Sequence, residues 1–177
     1  MKKLTVLAAI AVGGAASAQV PIGPFNTWMI ENFDSFTPSV WTTVPTMSGW
    51  SNCSMFNGFG ALVIGNPLSG FLNPPNSMFG DLVDANWQFV INIKRFGGFF
   101  KIVNGNGITG MRMKFYTVSN TLWYTTPALW YTTPVLPINN SSFTWHGYWL
   151  FAPIRRVEVM GFPNSGFVSM DEVRARP

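Results

Sequence analysis

Groups able to move protons, attack a substrate or hold a metal are scarce in this chain. Its 177 residues include one histidine, one cysteine and seven carboxylates. His146 sits in the aromatic run Trp145-His146-Gly147-Tyr148-Trp149. As a general base it would need an orienting carboxylate, and no neighbour in sequence supplies one, so it reads as a structural or surface histidine. Zinc asks for three or four protein ligands, more than one His and one Cys provide. Cys53 reads as a buried thiol acting as a small apolar side chain, with an interchain disulfide as the other reading in an oxidising compartment.

Four of the seven carboxylates stand in two groups, one near each end. Glu31 and Asp34 lie in Met29-Ile30-Glu31-Asn32-Phe33-Asp34-Ser35-Phe36, and Asp171 and Glu172 lie in Phe167-Val168-Ser169-Met170-Asp171-Glu172-Val173. Such groups either are solvated, cap turns, or gather around a cation or a base that offsets their repulsion; Arg155 and Arg156 are the candidate bases. Aromatic rings form the other candidate site, because flat sugar faces pack on exposed rings that combine an apolar body with a polar rim. Leu122-Trp123-Tyr124-Thr125-Thr126-Pro127 recurs as Leu129-Trp130-Tyr131-Thr132-Thr133-Pro134. Its prolines lack a ladder donor and keep the repeat to a loop or an edge hairpin. Trp123, Tyr124, Trp130 and Tyr131 are therefore the candidate ligand-binding residues, with packing over an open sheet face as the alternative. Trp145 and Trp149 are assigned to the core.

Strands must position these groups. Apolar residues do not recur at helical spacing over any long window, and two-residue alternation is plain instead. Trp87, Phe89, Ile91 and Ile93 alternate with polar neighbours; so do Met111, Met113 and Phe115, and again Val157 and Val159. The expected strands are 87–94, 111–118, 156–160 and 167–173. Gly97-Gly98, Asn104-Gly105-Asn106-Gly107, Ser119-Asn120 and Pro163-Asn164-Ser165-Gly166 read as turns, and 68–85 as a long loop. Many short strands with such spacing predict an all-β fold, an antiparallel jelly-roll-like β-sandwich.

The first residues give an address. Lys2 and Lys3 precede an apolar run from Leu4 to Val12, and Ala16-Ser17-Ala18 has the small-x-small form of a signal-peptidase site. The run is too short to span a bilayer, which takes roughly twenty residues. Residues 1–18 are thus expected to be a signal peptide cleaved after Ala18, leaving 19–177 as a single secreted β-sandwich domain with no membrane span. Removing 18 of 177 residues leaves 159, enough for one substantial core. Without Lys2 and Lys3 the balance is nine Lys/Arg against seven Asp/Glu. The bases are dispersed in pairs such as Lys94-Arg95, which argues against nucleic acid as a partner. With 16% aromatic residues and 47% hydrophobic, the chain is not of disordered composition.

The acidic segment around Glu31 to Asp34, with the final Asp171-Glu172-Val173 strand and the preceding Arg156-Val157-Glu158-Val159-Met160-Gly161-Phe162, resembles secreted bacterial jelly-roll modules. These include carbohydrate-binding-module-like and galactose-binding-like sandwiches and the sandwich domains of PEP-CTERM-type exported proteins. The chain departs from the last group by lacking the terminal Pro-Glu-Pro motif and hydrophobic tail. The resemblance implies that the first and last strands lie together and hold a structural calcium ion, for which Glu31 and Asp171 match best and Asp34 is a third candidate. Function is then expected to be non-catalytic binding of polysaccharide or another cell-surface component. A structural or extracellular-matrix protein with no small ligand is the alternative, and a hydrolase using paired carboxylates a third.

Overall fold

A straight strand of 18 residues would reach about 60 Å, wider than a domain of this size, so any strand that long must bend. Two such strands organise this molecule. The computed structural model describes residues 19–46, 49–55, 62–65, 77–80, 85–102, 109–121, 124–139, 141–162 and 168–177. Its strands are β1 (Gln19–Pro21), β2 (Met29–Glu31), β3 (Ser39–Trp41), β4 (Thr43–Pro45), β5 (Ser51–Met55), β6 (Leu62–Gly65), β7 (Ser77–Gly80), β8 (Ala85–Ile102), β9 (Gly110–Thr121), β10 (Tyr124–Thr132), β11 (Thr144–Phe162) and β12 (Val168–Arg176). No helix occurs among the described residues, and every pairing is antiparallel.

β8 and β11 pair along most of their length and bend together. Between the pairs Trp149↔Arg95 and Ile154↔Ile93, four residues of β11 stand against one of β8; between Ile154↔Ile93 and Arg156↔Gln88, four of β8 stand against one of β11. Bulges of this kind bend a strand and sharpen its twist. Pro153, which has no N–H to donate, falls inside the first of them. The reciprocal bulges restore the original register beyond the corner. One layer then runs β10–β9–β11–β8–β5–β4, using the first half of β8 and the second half of β11. The other runs β1–β11–β8–β12 and continues through β2 on one part of β12 and β7–β6–β3 on another. The result is a jelly-roll-like antiparallel β-sandwich, as the alternation implies.

The space between the layers is filled mainly by rings. Trp50 stacks on Trp87 (6.0 Å between centroids) and on Phe89 (5.7 Å), while Phe96 meets Trp87, Phe89 and Phe115. Met111, Met113, Phe100, Ile93 and Val157 are buried beside them. Cys53 is a buried free thiol whose pKa burial pushes well up, so it packs as an apolar group.

Several local expectations are corrected. Gly97 and Gly98 do not turn the chain but lie within β8, where Trp145 on the adjoining strand lays its ring over Gly97: a Cβ there would stand 2.7 Å from that ring and 2.8 Å from the Gly147 Cα, while Gly98 faces Phe100 and Val173. Ser119-Asn120 likewise continue β9. The supposed loop 68–85 contains β7. Ile91 and Trp149 are exposed, since both lie at the corner where the faces of β8 and β11 exchange. The expected turns at 104–107 and 163–166, and the signal segment 1–18, lie outside the described residues.

The Gly97 contact is testable. Gly97→Ala forces the new methyl against backbone and indole at once, and overpacking of this kind costs about 1–3 kcal/mol. Urea unfolding is expected to show that loss, and a variant as stable as the parent would contradict the close approach.

Candidate functional site

On the β10–β9–β11–β8–β5–β4 layer, Met111, Met113, Phe115, Val157, Val159, Ala85, Trp87 and Cys53 face inward. Their alternates face outward and line up across the strands. One row consists of Leu129, Tyr116, Arg156, Gln88 and Asn52, and the next of Thr132, Lys114, Glu158, Asn86 and Ser54. The register therefore gathers tyrosine, arginine, lysine, glutamate and amides from four strands onto one face.

Glu158 is the centre of this surface. It points away from the core yet is only 1% exposed. Lys114 Nζ donates to its Oε1 at 2.6 Å, and the Tyr116 hydroxyl donates to its Oε2. The Arg156 guanidinium lies 3.8 Å from the Tyr116 ring centroid, and Arg112 lies 4.2 Å from that of Phe162. Each charge is thus backed by a hydrogen bond or a ring, which is what burial of a carboxylate requires. Burial, then the hydrogen bond to Glu158 and its charge, pushes the Tyr116 phenol up to about 12, with Arg156 pulling partly the other way. The surface offers fixed donors and acceptors along a row of strands, suited to hydroxyl-rich ligands.

The aromatic repeat is placed on the neighbouring edge. Among the described residues β10 pairs only with β9, so the proline-bounded segment is an edge strand as its prolines require. Trp130 stands at a register shift between Leu129 and Tyr131 and is half-buried against the core. Tyr131 stacks on the buried Phe115 at 6.3 Å and meets Trp130 edge-on. Trp123 lies outside the described residues, as does the side chain of Tyr124, whose backbone pairs with Thr121. His146 Nε2 is hydrogen-bonded to Pro137 O at 3.0 Å, and burial lowers its pKa.

The acidic ends do come together. β2 pairs with β12, with Glu31 opposite Val173. Glu31 and Asp171 are both fully buried; Glu31 Oε1 accepts from Phe33 N (2.8 Å) and Asp171 Oδ1 from Glu172 N (2.7 Å). Phe33 and Glu172 both have left-handed backbone, φ 61° and 43°, a conformation unusual for bulky residues. Asp34 Oδ2 accepts from Asn32 Nδ2 at 2.8 Å in the turn that follows β2, and Glu172 pairs with Arg174 at 2.6 Å. Arg155 donates instead to Phe89 O (3.3 Å), and Arg156 stacks on Tyr116. Among the described residues no three His, Cys, Asp or Glu side chains stand close enough to hold a metal.

The Glu158 network was missed in the sequence because Arg112, Lys114 and Tyr116 look like the solvated side of a strand. A signal existed in Arg156-x-Glu158, opposite charges two apart on one face, but its partners depend on register.

No protein-family model matches the chain, and no curated protein does. Among solved structures, it is similar to the CBM22-1 xylan-binding domain of Xyn10C from Paenibacillus barcinonensis. The likeness covers 84% of this chain and 92% of that one, with TM-score 0.55 and 9% sequence identity. At that identity the likeness is one of fold: this chain shares the β-sandwich of that domain.

Tyr116 yields a pH-dependent expectation. The unfolded phenol ionises near 10.0 and the folded one near 12, so the stability it contributes is complete below pH 10 and is lost as pH rises toward 12. Tyr116→Phe removes that loss and, at neutral pH, deprives Glu158 of a donor at a cost of about 1–3 kcal/mol. Melting curves are expected to show a less stable variant at pH 7 whose alkaline decline is shallower than the parent's. Tyr148, also raised to about 12, titrates in both proteins and cancels. Parallel declines would contradict the Tyr116–Glu158 bond.

Proposed function

We propose that this chain is an exported, non-catalytic polysaccharide-binding module that takes a neutral glycan along the outer face of the β10–β9–β11–β8–β5–β4 layer. The observation that carries the reading is the Glu158 network on outward positions. Glu158 fixes Lys114 and Tyr116 on a sheet surface, Arg156 stacks on the Tyr116 ring, and exposed Gln88 and Asn52 continue the row. Prearranged acceptors and donors of this kind bind hydroxyls at low ordering cost. Glu158 is the one carboxylate on this face among the described residues, whereas glycoside cleavage uses two flanking the scissile bond. The fold likeness to a xylan-binding domain supports the same reading. The Trp123–Pro134 repeat borders the row through exposed Leu129, while the Trp130 and Tyr131 rings pack toward the core.

Retention on insoluble xylan and on cellulose tests this. The Gln88→Ala/Asn52→Ala pair is expected to weaken retention at least tenfold with an unchanged melting temperature, and Trp123→Ala to weaken it too if the repeat takes part. Parent-like retention by the Gln88/Asn52 variant would move the site off this face. A parent chain retained on neither polymer would remove the glycan reading.

We also propose that Glu31 and Asp171 hold a structural calcium ion where β2 meets β12. Both are buried oxygen donors on paired strands, and calcium accepts six to eight oxygens, including backbone carbonyls and water. The left-handed Phe33 and Glu172 shape the backbone beside each carboxylate. Calcium supplies charge compensation there and stabilises the native state by mass action, about 2.7 kcal/mol at a hundred times its Kd. Melting in calcium and in chelator is expected to differ by several degrees, and the difference to vanish in Asp171→Asn. Equal melting of calcium-loaded and verified metal-free protein would remove the site.

A further inference from the structure

The opposite side of the sandwich carries a second, different surface. Along the β1–β11–β8–β12 layer, the outward row through Trp149 reads Val20, Trp149, Arg95 and Arg176 in direct register. One step past the last β12–β2 pair, Trp28 joins Arg176 in an open groove that also includes Asn26 and Thr27. Trp28 is 67% exposed and Trp149 42%, and Phe151, 55% exposed, packs against Trp149 at 5.4 Å.

Two features of this row demand explanation. First, Arg95 and Arg176 are directly opposed on neighbouring strands, an arrangement in which like charges repel. Neither makes an ion pair among the described residues, unlike Lys114 with Glu158 and Arg174 with Glu172. Second, large indoles are left in water on both sides of them, and exposed aromatic patches mark interaction sites. An anion bridging the guanidiniums removes the repulsion through paired charge-assisted hydrogen bonds, while a flat apolar face covers each indole.

We propose that this face binds an acidic polysaccharide: carboxylate-bearing sugar rings lie along the row, a uronate carboxylate on Arg95 and Arg176 and ring faces on Trp149 and Trp28. The two indoles are three strand spacings apart, about 14 Å, so the ligand is a polymer of several units rather than a single sugar. Asn26 and Thr27 beside Trp28 offer polar atoms to sugar hydroxyls. A membrane fits less well. Interfacial anchors gather their apolar side chains on one face and keep cations on the other, whereas here the two guanidiniums occupy the middle of the strip. The site is separate from the Glu158 face and stands or falls without it.

Electrophoresis of the full chain through gels containing polygalacturonate, compared with gels containing neutral xylan, tests the assignment. The parent chain is expected to be retarded by polygalacturonate, less so as salt is raised. Arg95→Gln/Arg176→Gln and Trp28→Ala/Trp149→Ala are each expected to weaken that retardation at least tenfold while xylan behaviour stays that of the parent. The melting temperature of the arginine variant is expected to equal or exceed the parent's, since an opposed like-charge pair has gone, which separates lost binding from lost folding. A parent unretarded by polygalacturonate, or variants retarded as strongly as the parent, overturns the proposal. So does sedimentation with phosphatidylglycerol vesicles without polygalacturonate binding, which would make the face a membrane surface.

Discussion

Two strands pass through both layers of this sandwich, and the rest of the molecule is placed by how they turn the corner together. β8 and β11 exchange bulges of equal size, one after the other, so the register lost in the first is recovered in the second. A single bulge would leave one half of the ladder slipped, and a slip of odd number sends every side chain to the wrong face. The paired bulges allow both halves to keep their aromatic residues inward. They also exchange which alternate positions face outward. Odd-numbered Trp149 and Arg95 are outward on one side of the corner, even-numbered Arg156 and Gln88 on the other. Two chemically different outer faces are thereby cut from the same two strands.

Cohesion comes from rings more than from charges or covalent links. With one cysteine, already buried and free, no disulfide can restrain the unfolded chain. The stacked and edge-on contacts that run from Trp50 through Trp87 and Phe96 to Phe115 and Tyr148 cross the core from strand to strand. Aromatic pairs of this kind add about 0.5–1.5 kcal/mol each beyond the area they bury. Large rings need room, and the glycines supply it: Gly97 and Gly147 lie under Trp145, whose indole N–H is fixed by Ile22 O at 2.7 Å.

What could be read in the chain beforehand follows the range of each interaction. Alternation in 111–116 and 157–159 is local, and the strands lie where it points, with the predicted faces inward. Strand length was not legible, because Gly97-Gly98 has the local signature of a turn and the tryptophan that covers Gly97 is 48 positions away. The exposure of Ile91 and Trp149 was hidden for the same reason, since a bulge reverses the face without any compositional sign. Pairing of the acidic strand near the N-terminus with the last strand was anticipated from resemblance, and β2 and β12 do pair, whereas the first strand, β1, pairs with β11. The Glu158 surface depends on Lys114 and Glu158 meeting across 44 residues, which no window of sequence contains. The repeat drew attention to Trp130 and Tyr131 by its regularity, yet regular spacing along an edge strand with a register shift does not give regular exposure.

The use made of acidic residues is the last consequence of the same economy. Only 10% of the chain is charged, and Glu31, Glu158 and Asp171 are essentially fully buried, which carboxylates almost never are without a partner. Each stands on a strand that joins its layer to another element: Glu158 ties β11 to β9 through Lys114 and Tyr116, while Glu31 and Asp171 lie where the first part of the chain meets the last. Surface solubility is left to amides, hydroxyls and dispersed cations. Carboxylates placed this way act as fixed acceptors that orient neighbouring donors, and orientation is what a sheet needs to present a binding face, because its backbone spacing sets the rows while its side chains stay free to rotate. Glu158 removes that freedom from Lys114 and Tyr116. Arg95 and Arg176 have no such anchor among the described residues, so their orientation is left for an incoming anion to set.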